Sequence, residues 1–283
     1  MKKILLLCVI LGAISGIAGW PCQAAAPLTF GVYTSDKPSV MYKKFSPILK
    51  YISGRLAQKG ISLDIHLRIY PSYKEAIDAM AEGACDFARF GPASYILAKR
   101  KNSKIKLLVM EQKHHKKTFN GVFITQKDSE INSIHDLKGK TLAFGDKHST
   151  IGRFLAQAEL LKVGIRANDL KGFEFLGRHD RVALAVSAGD YDAGVVKENT
   201  YAKYAEGYKL KDIDEFPNVT KPWIVRENFD PVLFAALREV LLDLKDRNVL
   251  KELKQDGFMP ASDEDYNFVR QGMELSKIFE GGM

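Results

Sequence analysis

From Leu28 onward, short apolar runs alternate with amphipathic stretches of helical period, and this alternation constrains the fold more than any other feature of the chain. "LTFGVY" reads as a strand. "MYKKFSPILKYISGRLAQKG" places Phe45, Ile48, Leu49, Ile52 and Leu56 on one helical face, and Gly60 stops it. "LDIHLRI" alternates strictly, with Leu63, Ile65, Leu67 and Ile69 on one side. "SYKEAIDAMAEG" is a helix ending at Gly83, "CDFARF" a strand, "GPASYILAKR" a proline-started helix and "IKLLVM" a strand. Repeated βαβ units predict mostly parallel sheets flanked by helices.

A second set begins near Gly121, with "GVFITQ", "KTLAFG", a helix running to Val163, "FEFLG", "DRVALAVSAG", "DAGVV" and "NTYAKYAEG". "WIVR" is then a strand and the chain finishes in helices, "PVLFAALREVLLDLKD" the clearest. No Pro/Gly/Ser-rich linker divides the sets, so ordinary strands must connect them. The layout predicts two α/β lobes joined by crossing strands, one of residues 28–120 plus 223–283 and the other of 121–222.

The first 26 residues stand apart. Lys2 and Lys3 precede the uncharged run "ILLLCVILGAISGIAGW", and "CQAAA" supplies small residues for cleavage after Ala24 or Ala25. This pattern predicts an export signal over residues 1–24, with an uncleaved anchor as the alternative. Its removal takes Cys8 and Cys22 and leaves Cys85 alone, with no intramolecular disulfide partner. The setting "EGACDFARF" reads as a small buried thiol at a strand entry.

The formal charge of +8 is spread out, apart from the run "AKRKNSKIK". That run lacks interleaved aromatics and helix-turn-helix or zinc spacing, so nucleic acid is not an expected partner. A modest positive field would instead gather small anions. The chain contains no GxxxxGK[ST], GxSxG or HExxH motif. His114-His115 are adjacent on an apparent strand and point to opposite faces, so they do not chelate together. Neither a cofactor nor a metal is expected, and the chain does not read as an enzyme. A reactive Cys85 or Ser149 is the minor alternative.

Ligands of open α/β sheets collect beyond the carboxyl ends of the strands, where helix N-termini point into the crevice. Three junctions have this design. In "TLAFGDKHSTIGRFLAQAELL" a strand runs into Gly145, Asp146, His148, Ser149, Thr150 and Gly152. The hydroxyls and free N–H groups suit an anion, and Gly152 would allow close approach. Ser149 also reads as a simple N-cap. In "ARFGPASY" the strand meets Gly91-Pro92 and Ser94 lies in the next helical turn; a purely structural start explains it equally. In "LGRHDRVALAV" His179 could donate to an anion and Asp180 could cap.

These residues resemble a family. "FGPASY" after "AMAEGACDFA", then "GDKHSTIG" opening a helix, then "HDRVALAVSAGDYDAG" are similar to the periplasmic phosphate/phosphite/phosphonate-binding proteins of ABC transporters. "VYTSDKPSVMYKKFSPILKYISGRL" resembles the family's first strand and helix, and the likeness runs from Leu28 to about Phe229. It implies a two-lobe type II solute-binding fold, a small oxyanion ligand and a permease partner in the inner membrane. It also implies a monomer located in the periplasm. A sensory receiver for a membrane signalling partner is the alternative.

By the same resemblance Ser149 and Thr150, with His148 and Gly152 beside them, hold the phosphoryl oxygens and His179 donates. Phe90 stands where a cleft tyrosine is common, Ser94 and Tyr95 follow it, and Tyr33 or Tyr42 supplies an aromatic wall. The chain departs from the family at Ile151, where a serine is usual, and Arg153 would compensate if it turned inward. Aminoalkylphosphonate binders use carboxylates in the second half of the chain. Here "VKENTY" and "NVTKPWIV" bring Glu198 or Asn199 and Lys221, which disfavours a ligand with a free ammonium.

Overall fold

The computed structural model describes residues 27–281; the export signal expected over residues 1–24 lies outside them. The first half contains β1 (Leu28–Tyr33), α1 (Pro38–Gln58), β2 (Ile65–Tyr70), α2 (Tyr73–Ala81), β3 (Phe87–Arg89), α3 (Pro92–Lys101) and β4 (Lys106–Gln112). The chain then builds β5 (Thr118–Gln126), β6 (Thr141–Phe144), α4 (Ala156–Lys162), β7 (Gly172–Phe175), α5 (His179–Ala188), β8 (Ala193–Lys197), α6 (Glu198–Tyr204) and β9 (Leu210–Val219). It returns through β10 (Pro222–Val225), α7 (Pro231–Leu242), α8 (Arg247–Leu253), β11 (Gly257–Met259) and α9 (Asn267–Phe279).

Two sheets result, ordered β11-β4-β10-β3-β1-β2 and β7-β6-β8-β5-β9. They are mixed rather than mostly parallel. β1 pairs parallel with β2 and β3, and β6 with β7 and β8, but β5, β10 and β11 all pair antiparallel. β5 and β10 run against their neighbours because the chain enters each sheet from the opposite lobe at those strands. The two crossings lie side by side: Glu111 N–H donates to Lys221 C=O at 3.0 Å and Thr220 N–H to Lys117 C=O at 2.7 Å.

Each sheet is buried on both faces. In the first lobe the apolar face of α1 (Phe45, Ile48, Leu49, Ile52, Leu56) meets Phe30, Phe87 and Trp223, while Tyr33, Phe90 and Ala93 face the other side. The second lobe packs Phe123, Leu142 and Phe144 against Leu155 and Leu160.

α7, α8 and β11 lie on the first sheet, but α9, expected in that lobe, also packs on the second. Val269 and Met273 join the first-lobe core while Phe279 enters the second. Ser276 Oγ donates to Gln157 Oε1 at 2.5 Å, and Gly272 lets Leu155 approach closely. The amphipathic pattern of α9 shows that one side is buried but does not name the surface it covers.

Candidate functional site

The strand ends and helix starts of the two lobes converge on a small cavity of about 30 Å³. By the same measure one water takes about 10–15 Å³, so the space suits a compact group of a few atoms. From the second lobe come Ser149, Thr150, Ile151, His179, Lys197 and Asn218; from the first, Tyr33, Tyr73, Arg89, Gly91 and Pro92. Lys221 enters from the crossing segment.

The junction after β6 opens with a π-helical stretch, Thr150–Leu155, before α4. Arg153 and Phe154 N–H both donate to Ser149 C=O at 3.2 Å. Ser149 Oγ accepts from Gly152 N–H at 2.9 Å, so it caps its own helix while lining the cavity. Thr150 does more than cap. Its Oγ1 accepts from Ala93 N–H at 2.9 Å, joining the π-helical stretch to the first turn of α3 across the cleft. Tyr33 fills the same helix start, accepting from Gly91 N–H at 2.5 Å and from Ser94 Oγ at 3.1 Å. Two orphan donors of α3 are thereby satisfied by side chains that point into the cleft.

His179, at the start of α5, is 5% exposed, and its Nδ1 has no partner. Burial, reinforced by Lys197, lowers its pKa to about 3, so the ring is neutral and one nitrogen can donate without carrying charge. Asn218 Oδ1 and Thr220 Oγ1 are also buried without partners. Of these, His179 and Asn218 line the cavity, and unpaired polar atoms there mark contacts that a ligand can complete.

Positive charge comes from the cleft floor. Arg89 forms a bidentate pair with Glu111 at 2.8 and 3.0 Å. Burial pushes the Glu111 carboxyl up, but the Arg89 charge and its hydrogen bonds hold it down at about 2. Lys197 Nζ donates to Asp36 Oδ2 at 2.6 Å, a second tie between the lobes.

Several expected site residues lie elsewhere. Tyr42 is 63% exposed on α1, opposite the buried face, and of the two tyrosines Tyr33 lines the cavity. Phe90 packs under Tyr33, with ring centroids 5.5 Å apart, one layer behind the cavity. Ser94 is buried and reaches the cleft only through Tyr33. Tyr95 points away, donating to Asp263 at 2.5 Å, because it lies on the side of α3 that meets the C-terminal segment. His148 sits at the rim against Asp146. Asn199 accepts from Lys113 at 3.1 Å outside the cavity. Gly152 serves packing: a Cβ there would lie 2.8 Å from Gly145 Cα, so the glycine faces backbone and no ligand. Arg153 turns outward to Glu280 and the Lys147 carbonyl.

Reading the sequence missed Tyr73, Arg89, Lys197 and Asn218. Lys197 had a signal, since it ends a strand just before a helix, two residues from the Asn199 chosen instead. Tyr73 stacks on Tyr33 with centroids 3.7 Å apart, a pairing between helix and strand that no local pattern marks. Cys85 is buried, and burial followed by the Asp86 charge pushes its thiol up to about 12, which disfavours the reactive thiolate. Among the described residues no cluster of three or more His, Cys, Asp or Glu could hold a metal.

A family profile described as "ABC transporter, phosphonate, periplasmic substrate-binding protein" matches residues 30–266. The chain belongs to this family. The family is a substrate-binding component of a transporter and not an enzyme, which favours transport over the sensory alternative. Among curated relatives of this phosphonate-transporter chain is the probable ABC transporter phosphite binding protein PhnD1 of Prochlorococcus marinus. It is 25% identical, over 89% of this chain and 90% of its own. The phosphate-import protein PhnD of Mycolicibacterium smegmatis is 25% identical over 59% of this chain and 54% of its own. Solved structures share the two-lobe fold. The Prochlorococcus marinus PhnD1 structure in complex with methylphosphonate has a TM-score of 0.79 at 21% identity, covering 87% of this chain and 97% of that one. A binding protein component of an ABC phosphonate transporter from Pseudomonas aeruginosa also has a TM-score of 0.79, at 19% identity over 89% of this chain and 87% of that one.

Proposed function

We propose that this chain is the exported substrate-binding component of an ABC importer, carrying a small phosphorus oxyanion (phosphonate, phosphite or phosphate) to an inner-membrane permease. The cavity is the observation that carries this reading. It is sized for a few atoms and lined by Ser149, Thr150 and His179, whose Nδ1 is unpartnered, beside helix starts from both lobes. Oriented N–H and O–H donors in a site with little water bind an anion strongly. The ligands named for the relatives, phosphite, phosphate and methylphosphonate, support the same class.

In this reading Ser149, Thr150 and His179 hold the phosphoryl oxygens, Tyr33 and Tyr73 wall the cleft, and Asn218 and Lys221 close it from the crossing side. Three or four charge-assisted hydrogen bonds at about 1.5–3 kcal/mol each exceed a binding cost of about 4 kcal/mol or more. The protein works as a monomer whose lobes close over one ligand. Thermal unfolding against phosphate, phosphite, methylphosphonate, 2-aminoethylphosphonate and sulfate tests the proposal. At about a hundred times Kd a true ligand raises Tm by about 5 °C or more. The aminoalkyl compound should give little response, because lysines rather than free carboxylates face the cavity. A flat response to every phosphorus oxyanion would refute the assignment.

A further inference from the structure

The charges around the cleft do not balance. Three cations line it, Arg89 of β3, Lys197 of β8 and Lys221 of the crossing segment, and Lys44 of α1 lies within charge–charge range of them. The two carboxylates among them are already engaged, Glu111 by Arg89 and Asp36 by Lys197. The ion pairs Lys117–Asp265 and Lys113–Glu198 of the crossing region are likewise closed, and His179 opposite is neutral. Lys221 and Lys44 form no ion pair among the described residues. Lys221 Nζ lines the cavity and stands 3.9 Å from the centre of the Phe119 ring, with no oxygen acceptor. A half-buried ammonium set against an aromatic face beside the cavity, with no carboxylate of its own, lacks its counter-ion.

We propose that Lys221 supplies the counter-charge of the bound ligand and selects a doubly charged oxyanion over a singly charged one of the same shape. This rests on the oxyanion reading of the cleft and names the charge state it accepts. Neutral donors at Ser149, Thr150 and His179 recognise tetrahedral oxygens whatever their charge. Discrimination between a phosphonate dianion and a sulfonate monoanion must come from full charges, and of the cations lining the cavity Lys221 is the one without an ion pair among the described residues. Burial and the neighbouring Arg89 charge lower the Lys221 amine well below its ordinary value. The empty site therefore gives up this proton more readily than a solvated lysine would, and an arriving dianion holds it in place, so binding takes up a proton.

Calorimetry with methylphosphonate and its isostere methanesulfonate tests this at mildly alkaline pH, in two buffers of different ionisation heat. The wild-type protein should bind methylphosphonate at least about tenfold tighter than methanesulfonate, with net proton uptake. Lys221→Gln should lose about tenfold or more in methylphosphonate affinity, change methanesulfonate by less than about threefold, and lose the uptake. Lys221→Arg should keep the discrimination without the uptake, because arginine stays protonated. Tm of ligand-free Lys221→Gln should equal or exceed that of wild type, since Lys221 makes no ion pair among the described residues for the variant to lose. If Lys221→Gln retains both discrimination and uptake while wild type binds methylphosphonate, the counter-charge role is wrong and the oxyanion reading stands. If wild type binds neither compound, both are wrong.

Discussion

His179 is neutral because the cleft excludes water and Lys197 stands beside it. The folded state therefore binds fewer protons than the unfolded chain between about pH 6.5, the ordinary histidine value, and about 3. Its contribution is fully present above pH 6.5 and is lost as pH falls towards 3. Glu111, held at about 2 against an ordinary 4.5, acts in the same direction at lower pH. Tm of the ligand-free protein should therefore decline steadily below about pH 6.5. His179→Gln should flatten the upper part of that decline and leave the part below about pH 4.5 to Glu111 and the other carboxylates held low, Asp36, Asp192 and Asp263 among them. A variant that keeps the full wild-type slope between pH 6 and 5 would show that the ring is not neutral in the fold.

The first turn of α3 and the π-helical stretch before α4 act as one unit, since a hydroxyl from one satisfies an amide of the other. Thr150→Val keeps the shape and leaves the Ala93 N–H buried without an acceptor, at a cost of about 1–3 kcal/mol to the closed form. Ligand affinity should fall by about fivefold or more, and Thr150→Ser should restore most of it. Equal affinity in Thr150→Val would reduce the hydroxyl to a bystander. At this scale the repeating pattern located most of the elements, because each core-facing helix or strand carries its own period. It missed β9, whose run "LKDIDEFPNV" is largely polar and contains a proline. β9 is an edge strand with one side solvated, so it lacks the apolar run that marks a buried strand. Asn218 was missed with it.

Across the whole molecule, closure rests on few direct ties: Thr150 to Ala93, Lys197 to Asp36, and α9 lying on both lobes. The two crossing segments, hydrogen-bonded to each other, are the natural axis, since they alone carry the chain from sheet to sheet. Asp36→Asn removes an inter-lobe charge pair and leaves Lys197 uncompensated at the cleft. The ligand-free protein should shift towards an open form, seen as a larger radius of gyration in small-angle scattering. Ligand should return it to the wild-type value, at an affinity reduced by the fraction of closed form lost. An unchanged radius of gyration would mean that α9 and the crossing segments, not the ion pair, hold the lobes together.

The sequence by itself determined the alternation of strands and helices, the two lobes and the junctions at Ser149-Thr150 and His179, because apolar period and helix-start chemistry are local properties. Only the tertiary structure decided which of those groups face the cleft. Gly152 against Gly145, Arg153 turned out to Glu280, and Tyr42 in solvent each depend on what packs opposite them. The unpaired state of Lys221 is of the same kind. A lysine lacks a counter-ion only when the fold has allotted every nearby carboxylate to another cation, and no local pattern records that.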